Sequence, residues 1–188
     1  MQENAPNGAG TRFDTLVNLM ARLRAPEGCP WDREQNFDTI RKYTLEETYA
    51  VLDAIERRDW DDLRDELGDF LLQAVFYAQM AAEENRFTIS DSLDAINQKL
   101  VRRHPHIFGD ETAHTGEQVL KRWDEIKAAE KRQKSEKPQG LLDGVPRAMP
   151  ALVEAQQISS RAAGVGFDWS SAEEVLGELN DGSRLIAG

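Results

Sequence analysis

The chain of 188 residues is long enough for one domain and part of a second, and it can bury a core without disulfide or metal staples. Lys+Arg 23 against Asp+Glu 34 gives a formal net charge of -11, which excludes the basic footprint that duplex nucleic acid or an anionic membrane requires. A single cysteine, Cys29, rules out an internal disulfide and a thiolate zinc site, and the most apolar stretch, Phe70 to Ala82, is too short to span a bilayer.

In chain order, the small polar residues 1–10 lack the basic and apolar regions of a secretory signal, so they are expected to fray and the cytoplasm is the expected compartment. From Thr11 the apolar period is helical, through Phe13, Leu16, Val17, Met20 and Leu23. Two prolines and a glycine within Ala25-Pro-Glu-Gly-Cys-Pro30 stop that helix. Thr44 with Glu47 has the form of a capping box and predicts a second helix, with Leu45, Tyr49, Leu52 and Ile55 as its apolar face. Arg57-Arg58-Asp59 reads as a short exposed connection to a long third helix carrying Leu63, Leu67, Leu71, Ala74 and Ala78. Ser90 is expected to cap a fourth helix, which Pro105 ends. Residues 105–114 read as loop, and Thr115 with Gln118 opens a helix to about Arg132. Lys131 to Gly140 has the composition of a solvated linker, 148–163 reads as helix, and Ser170 or Ser171 opens a last short segment. No stretch alternates with period two, so the expected fold is all-α, a bundle of antiparallel hairpins.

Two clusters carry candidate chemistry. Glu46 and Glu47 lie on the second helix, while Asp62, Glu66, Asp69 and Gln73 form a polar stripe on the third that contains no lysine or arginine. A short connector makes these helices antiparallel neighbours, so the carboxylates can face each other and offer oxygen ligands to Mg²⁺ or Mn²⁺. Acidic residues near a helix N-terminus also suit the macrodipole, and on spacing alone both readings stand. Lys99, Arg102 and Arg103 put three positive charges in an acidic chain, with no acid between residues 99 and 106. A cation site beside a Lys/Arg group is what a triphosphate requires, although a basic helix C-terminus equally complements the dipole. There is no Walker lysine loop and no Gly-rich phosphate cradle.

Gly28-Cys29-Pro30-Trp31-Asp32, Tyr43-Thr44-Leu45-Glu46-Glu47-Thr48-Tyr49, Glu66-Leu67-Gly68-Asp69 and Lys99-Leu100-Val101-Arg102-Arg103-His104-Pro105-His106 occur in this order. Together they resemble MazG, the all-α nucleoside triphosphate pyrophosphohydrolase family, and the resemblance continues to Val165-Gly166-Phe167-Asp168-Trp169. It implies Mg²⁺-dependent hydrolysis of nucleoside triphosphates to the monophosphate and pyrophosphate by a helical bundle that forms a homodimer or higher assembly. By that resemblance Glu47, Glu66 and Asp69 hold metal with Glu46 beside them, and these four are the expected catalytic residues. Lys99, Arg102 and Arg103 would hold phosphates, Trp123 and Lys127 would contact the nucleotide, and Trp31 would line the pocket, with core packing as the ordinary alternative for both tryptophans. The expected division is a MazG-like domain over 11–134, a linker over 135–147, and the start of a truncated second repeat over 148–188.

One departure bears on activity. The family motif reads Glu-Glu-x-x-Glu, and its last position is Ala50 in this chain. Three accounts are open: an engineered inactive variant, which the economy of the exchange favours; compensation by Asp53 or Asp62; or natural degeneracy. A non-catalytic helical interaction module that binds a partner through its acidic face is the alternative reading. A di-iron protein is a further one, since Glu111-x-x-His114 has the form of one ligand pair, but it is a single copy in an expected loop.

Overall fold

The computed structural model describes residues 8–134 and 140–177, and among these residues there is no strand. Helices α1 (Ala9–Arg24), α2 (Pro30–Glu34), α3 (Phe37–Arg57), α4 (Trp60–Glu83), α5 (Ile89–Arg103) and α6 (Pro105–Phe108) precede α7 (Gly116–Lys134) and α8 (Ala151–Ala163). A further helical segment covers 172–177. No helix among the described residues is long and apolar enough to cross a membrane. The chain divides into two compact units, Met1–His114 and Thr115–Gly188. The helix α7, expected within the first domain, therefore groups with the C-terminal residues. Of the expected linker, 135–139 lie outside the described residues and 140–147 form turns.

The first unit is built on the α3–α4 hairpin. Its connection is the one expected: Arg58 closes α3 in the left-handed conformation at φ 57, and Asp59 caps α4 by accepting from the Asp62 amide. The start of α3 differs from expectation. Asn36 is the N-cap, its side chain accepting from the amides of Asp38 and Thr39 while the Thr39 hydroxyl accepts from the Asn36 amide. Thr44 thus stands inside the helix, where its hydroxyl turns back toward the Ile40 carbonyl at 3.4 Å. The cap of α5 is likewise Thr88, in a capping box with Asp91, two residues before the expected Ser90.

Met20 of α1, Ile40 of α3 and Val75, Phe76 and Met80 of α4 form the core, with Phe13, Leu16, Val17, Tyr43, Leu72 and Tyr77 packed around it. Burial of each such side chain stabilises by about 1.5–3 kcal/mol. This core lies at the end of the hairpin that holds the start of α3 and the second half of α4. Toward the Arg58 turn the hairpin's apolar face is bare: Leu45, Tyr49 and Leu52 of α3 are 50–53% exposed, and Leu67, Phe70 and Leu71 of α4 are 44–48% exposed. The periodicity identified these faces correctly as apolar, but among the described residues of the unit nothing covers them. In the second unit, Arg161 of α8 donates to the carbonyls of Asp143 and Gly144, both at 3.0 Å, and this holds the 140–144 turn.

Candidate metal centre

The antiparallel hairpin sets a register of facing pairs along one seam. The Thr44 hydroxyl lies 2.9 Å from the Tyr77 hydroxyl and donates to the Gln73 side-chain oxygen at 3.4 Å. One turn further along α3, Glu47 meets Glu66 and Asp69 of α4, and each of the three offers an oxygen within 4.8 Å of the other two. Near the connection, Arg57 donates to Asp53 at 2.7 Å and to Asp62. The seam therefore runs from a hydroxyl–amide group, through three carboxylates, to a guanidinium-neutralised acidic group.

Glu46 and Glu47 do not stand at the start of their helix. Both lie near the middle of α3, far from the N-terminal turn that starts at Phe37, so the macrodipole does not explain them. The neighbours of Glu47 are instead other acids. Burial first, and then the charges of Asp69, Glu66 and Glu46, push its carboxyl above the ordinary value. Among the described residues no other three Asp, Glu, His or Cys side chains meet this spacing. Oxygens on opposite sides of an octahedral magnesium shell lie roughly 4.2 Å apart, given a metal–oxygen distance of about 2.1 Å. Three oxygens that all lie within 4.8 Å of one another are on the scale of such a shell. An all-oxygen donor set of this size, with Glu47 and Glu66 half-buried and Asp69 exposed, fits a hard divalent cation.

The proposed substitutes for a glutamate at position 50 are committed elsewhere. Asp53 and Asp62 both accept from Arg57, whose guanidinium their hydrogen bonds hold more firmly protonated than usual. The stripe on α4 is thus not free of cations as the sequence suggested, because Arg57 reaches Asp62 from α3. Ala50 lies one turn beyond Glu47 and is partly buried. In the antiparallel register it opposes the turn of α4 that carries Glu66.

The remaining expected residues fall in different places. Glu46 is exposed beside the cluster. Lys99, Arg102 and Arg103 occupy the last turns of α5, which packs on α4 and is followed by the short helix α6. Trp123 and Lys127 are on α7 in the second unit, the Lys127 amine 5.8 Å from the Trp123 ring centroid. Trp31 is on α2 with its ring edge-on to Tyr43 at 5.8 Å, and Tyr43 is one turn before Glu47. Trp31 is 49% exposed, so it is not an ordinary core aromatic. Tyr43 was legible in principle, since it is four residues before Glu47 and so on the same helix face. Glu111 and His114 lie in the stretch between α6 and α7, away from core helices. That placement removes the support for a di-iron pair.

Residues 35–108, which span α3 to α6, match the profile of the MazG nucleotide pyrophosphohydrolase domain. The chain carries a MazG domain. It is 55% identical over 169 residues to the nucleoside triphosphate pyrophosphohydrolase of Escherichia coli (strain K12), covering 89% of this chain and 64% of that protein. It is 42% identical over 173 residues to the nucleoside triphosphate pyrophosphohydrolase/pyrophosphatase MazG of Thermotoga maritima, covering 92% of this chain and 65% of that protein. The chain thus spans slightly less than two thirds of the length of these relatives. The crystal structure of a mazG-related protein from Thermotoga maritima superposes with a TM-score of 0.53 at 24% identity, covering 61% of this chain and 98% of the other. That likeness establishes the all-α MazG fold. The matched segment contains all three converging carboxylates and the basic end of α5.

Proposed function

We propose that this chain acts on nucleoside triphosphates, with water adding at the α/β phosphate linkage and the bridging bond breaking to yield the monophosphate and pyrophosphate. The observation that carries the reading is the convergence of Glu47, Glu66 and Asp69 within 4.8 Å on facing helices. These three would hold Mg²⁺, or Mn²⁺, with Glu46 beside them. When bound, the cation neutralises charge on the triphosphate and lowers the pKa of water. Lys99, Arg102 and Arg103 supply positive charge for the phosphate oxygens, and a guanidinium fork matches two of them at once. Trp31 offers a half-exposed ring against Tyr43, which is one turn from Glu47 on α3, and the Trp123–Lys127 pair on α7 would contact the nucleotide.

The alanine at position 50 leaves the cluster with three carboxylates where the resemblance implies four, and activity is accordingly weakened. Two copies of the chain pair through the bare apolar face of the α3–α4 hairpin. The enzyme works in the cytoplasm, without duplex nucleic acid or membrane as partner, as its net charge of -11 supports.

Titration calorimetry with Mg²⁺ and a non-hydrolysable nucleoside triphosphate tests the reading. Metal-dependent nucleotide binding is expected, lost in Glu66→Gln and weakened more for the triphosphate than for the monophosphate in Arg102→Ala. Absence of metal-dependent binding would favour the helical interaction module instead.

A further inference from the structure

The short helix that carries Trp31 rests on α1 but buries none of its own side chains. A helix of five residues does not sustain itself. Its start is tied to α1 by the Cys29 amide donating to the Leu23 carbonyl at 2.8 Å, and its end is fastened by a side chain from inside the unit. Arg24, at the end of α1, has a side chain only 8% exposed. Its Nε and Nη2 donate to the Glu83 carboxylate at 2.9 and 2.7 Å, at the far end of α4. Its Nη1 donates to the carbonyl of Asp32 and to that of Gln35 at 3.1 Å, the two acceptors at the C-terminal end of α2. The guanidinium also lies 5.4 Å from the centroid of the core residue Phe76. A planar fork is suited to this double duty, because its donors point in fixed directions toward both partners.

The consequence reaches the aromatic pair. The Gln35 side chain, next to the clamped carbonyl, donates to the Trp31 carbonyl at 2.9 Å. Trp31 in turn meets Tyr43 edge-on, one turn from Glu47. With its fork turned inward on Glu83 and the two carbonyls, Arg24 faces the fold and not a phosphate.

We infer that Arg24 is a positioning residue: by clamping α2 to α4 it holds the Trp31–Tyr43 pair beside the carboxylates, where the pair receives the flat base of a nucleotide. The inference rests on the metal–triphosphate reading above and adds to it the device that sets base recognition apart from phosphate binding. Arg24 therefore acts on affinity for the base and leaves the phosphate contribution alone.

The test compares two ligands in the presence of Mn²⁺ on the full chain: an α,β-methylene nucleoside triphosphate, and inorganic tripolyphosphate, which has no base. Arg24→Lys keeps a charge for Glu83 but loses the fork. It is expected to weaken nucleotide binding about tenfold, the scale of one lost base–aromatic stack, while tripolyphosphate changes by less than about twofold. Glu83→Gln, which loosens the same clamp without emptying the interior, is expected to shift the ratio in the same direction and carries the test if Arg24→Lys does not fold. Trp31→Ala serves as reference and is expected to show the same selective loss. If Trp31→Ala is selective but the clamp variants leave both ligands unchanged or weaken both alike, Arg24 is only a structural residue and the inference falls. An unselective Trp31→Ala overturns the aromatic pair itself. Failure of the unaltered chain to bind either ligand overturns the functional reading beneath both.

Discussion

Ala50 and Glu47 are the residues on which chemistry turns, and they lead to separate expectations. A glutamate at 50 would project from the same face of α3 as Glu47, opposite the Glu66 turn, and add a fourth oxygen donor to the cluster. Ala50→Glu is therefore expected to raise pyrophosphate release about 10²-fold or more, the scale of restoring one key electrostatic group. Equal rates in a phosphate-coupled assay would remove position 50 from the working site. Glu47 titrates above its ordinary value of 4.5, because burial and three neighbouring acids disfavour its charge. Its ionisation thus costs stability as the pH rises from 4.5 through the folded value, and a metal ion offsets that cost. Glu47→Gln is expected to raise the melting temperature of the metal-free chain at pH 7 and to abolish stabilisation by added Mn²⁺. Affinity for Mn²⁺ in the unaltered chain should fall as the pH drops through the raised value. Glu83 has the opposite sign: the Arg24 hydrogen bond lowers its pKa, so its stabilisation is present above 4.5 and is lost as the pH falls through the lowered value.

The elements are held by local devices of different strength. The connection between α3 and α4 places Arg58 in the left-handed region at φ 57, where a Cβ is strained by about 1–2 kcal/mol. Arg58→Gly relieves this at some cost in unfolded-chain entropy, and a net gain of roughly 0.5–1 kcal/mol is expected in urea unfolding. The turn before α2 works the other way. A Cβ on Gly28 would stand 2.1 Å from the Leu23 carbonyl oxygen, the same oxygen that accepts from the Cys29 amide at 2.8 Å. Only glycine allows the chain to fold back this closely on α1 and deliver Trp31 to the Arg24 clamp. The start of α3 shows how a local rule misleads. Thr44 and Glu47 have the spacing of a capping box, but Asn36 and Thr39 satisfy the orphan amides eight residues earlier. Thr44 is then free to face Tyr77 across the seam.

At the scale of the whole molecule, the hairpin is closed at one end and open along its side. Leu45, Tyr49 and Leu52 of α3 and Leu67, Phe70 and Leu71 of α4 all remain roughly half exposed. A contiguous apolar face of this kind marks an interaction surface, and one self-complementary patch serves two copies at once. Light scattering is expected to give at least twice the chain mass of 21.2 kDa, and Leu52→Asp is expected to halve it. A monomer at micromolar concentration that still binds Mn²⁺ and nucleotide would show that pairing does not complete this site.

What the sequence determined by itself is what periodicity and spacing encode. Helices, the short Arg57–Asp59 connection, the proline stop at His104-Pro105 and the carboxylates facing each other across one hairpin all follow from local rules. The motifs by themselves also carry the resemblance to MazG. The tertiary structure decided everything that depends on partners distant in the chain. It engaged Asp53 and Asp62 on Arg57, left an apolar face uncovered, and joined Arg24 to Glu83 across 59 residues. An amphipathic pattern states that a face is apolar but not whether a neighbour exists to cover it. A lone arginine at a helix end likewise gives no sign of the carbonyls that another segment will bring to it.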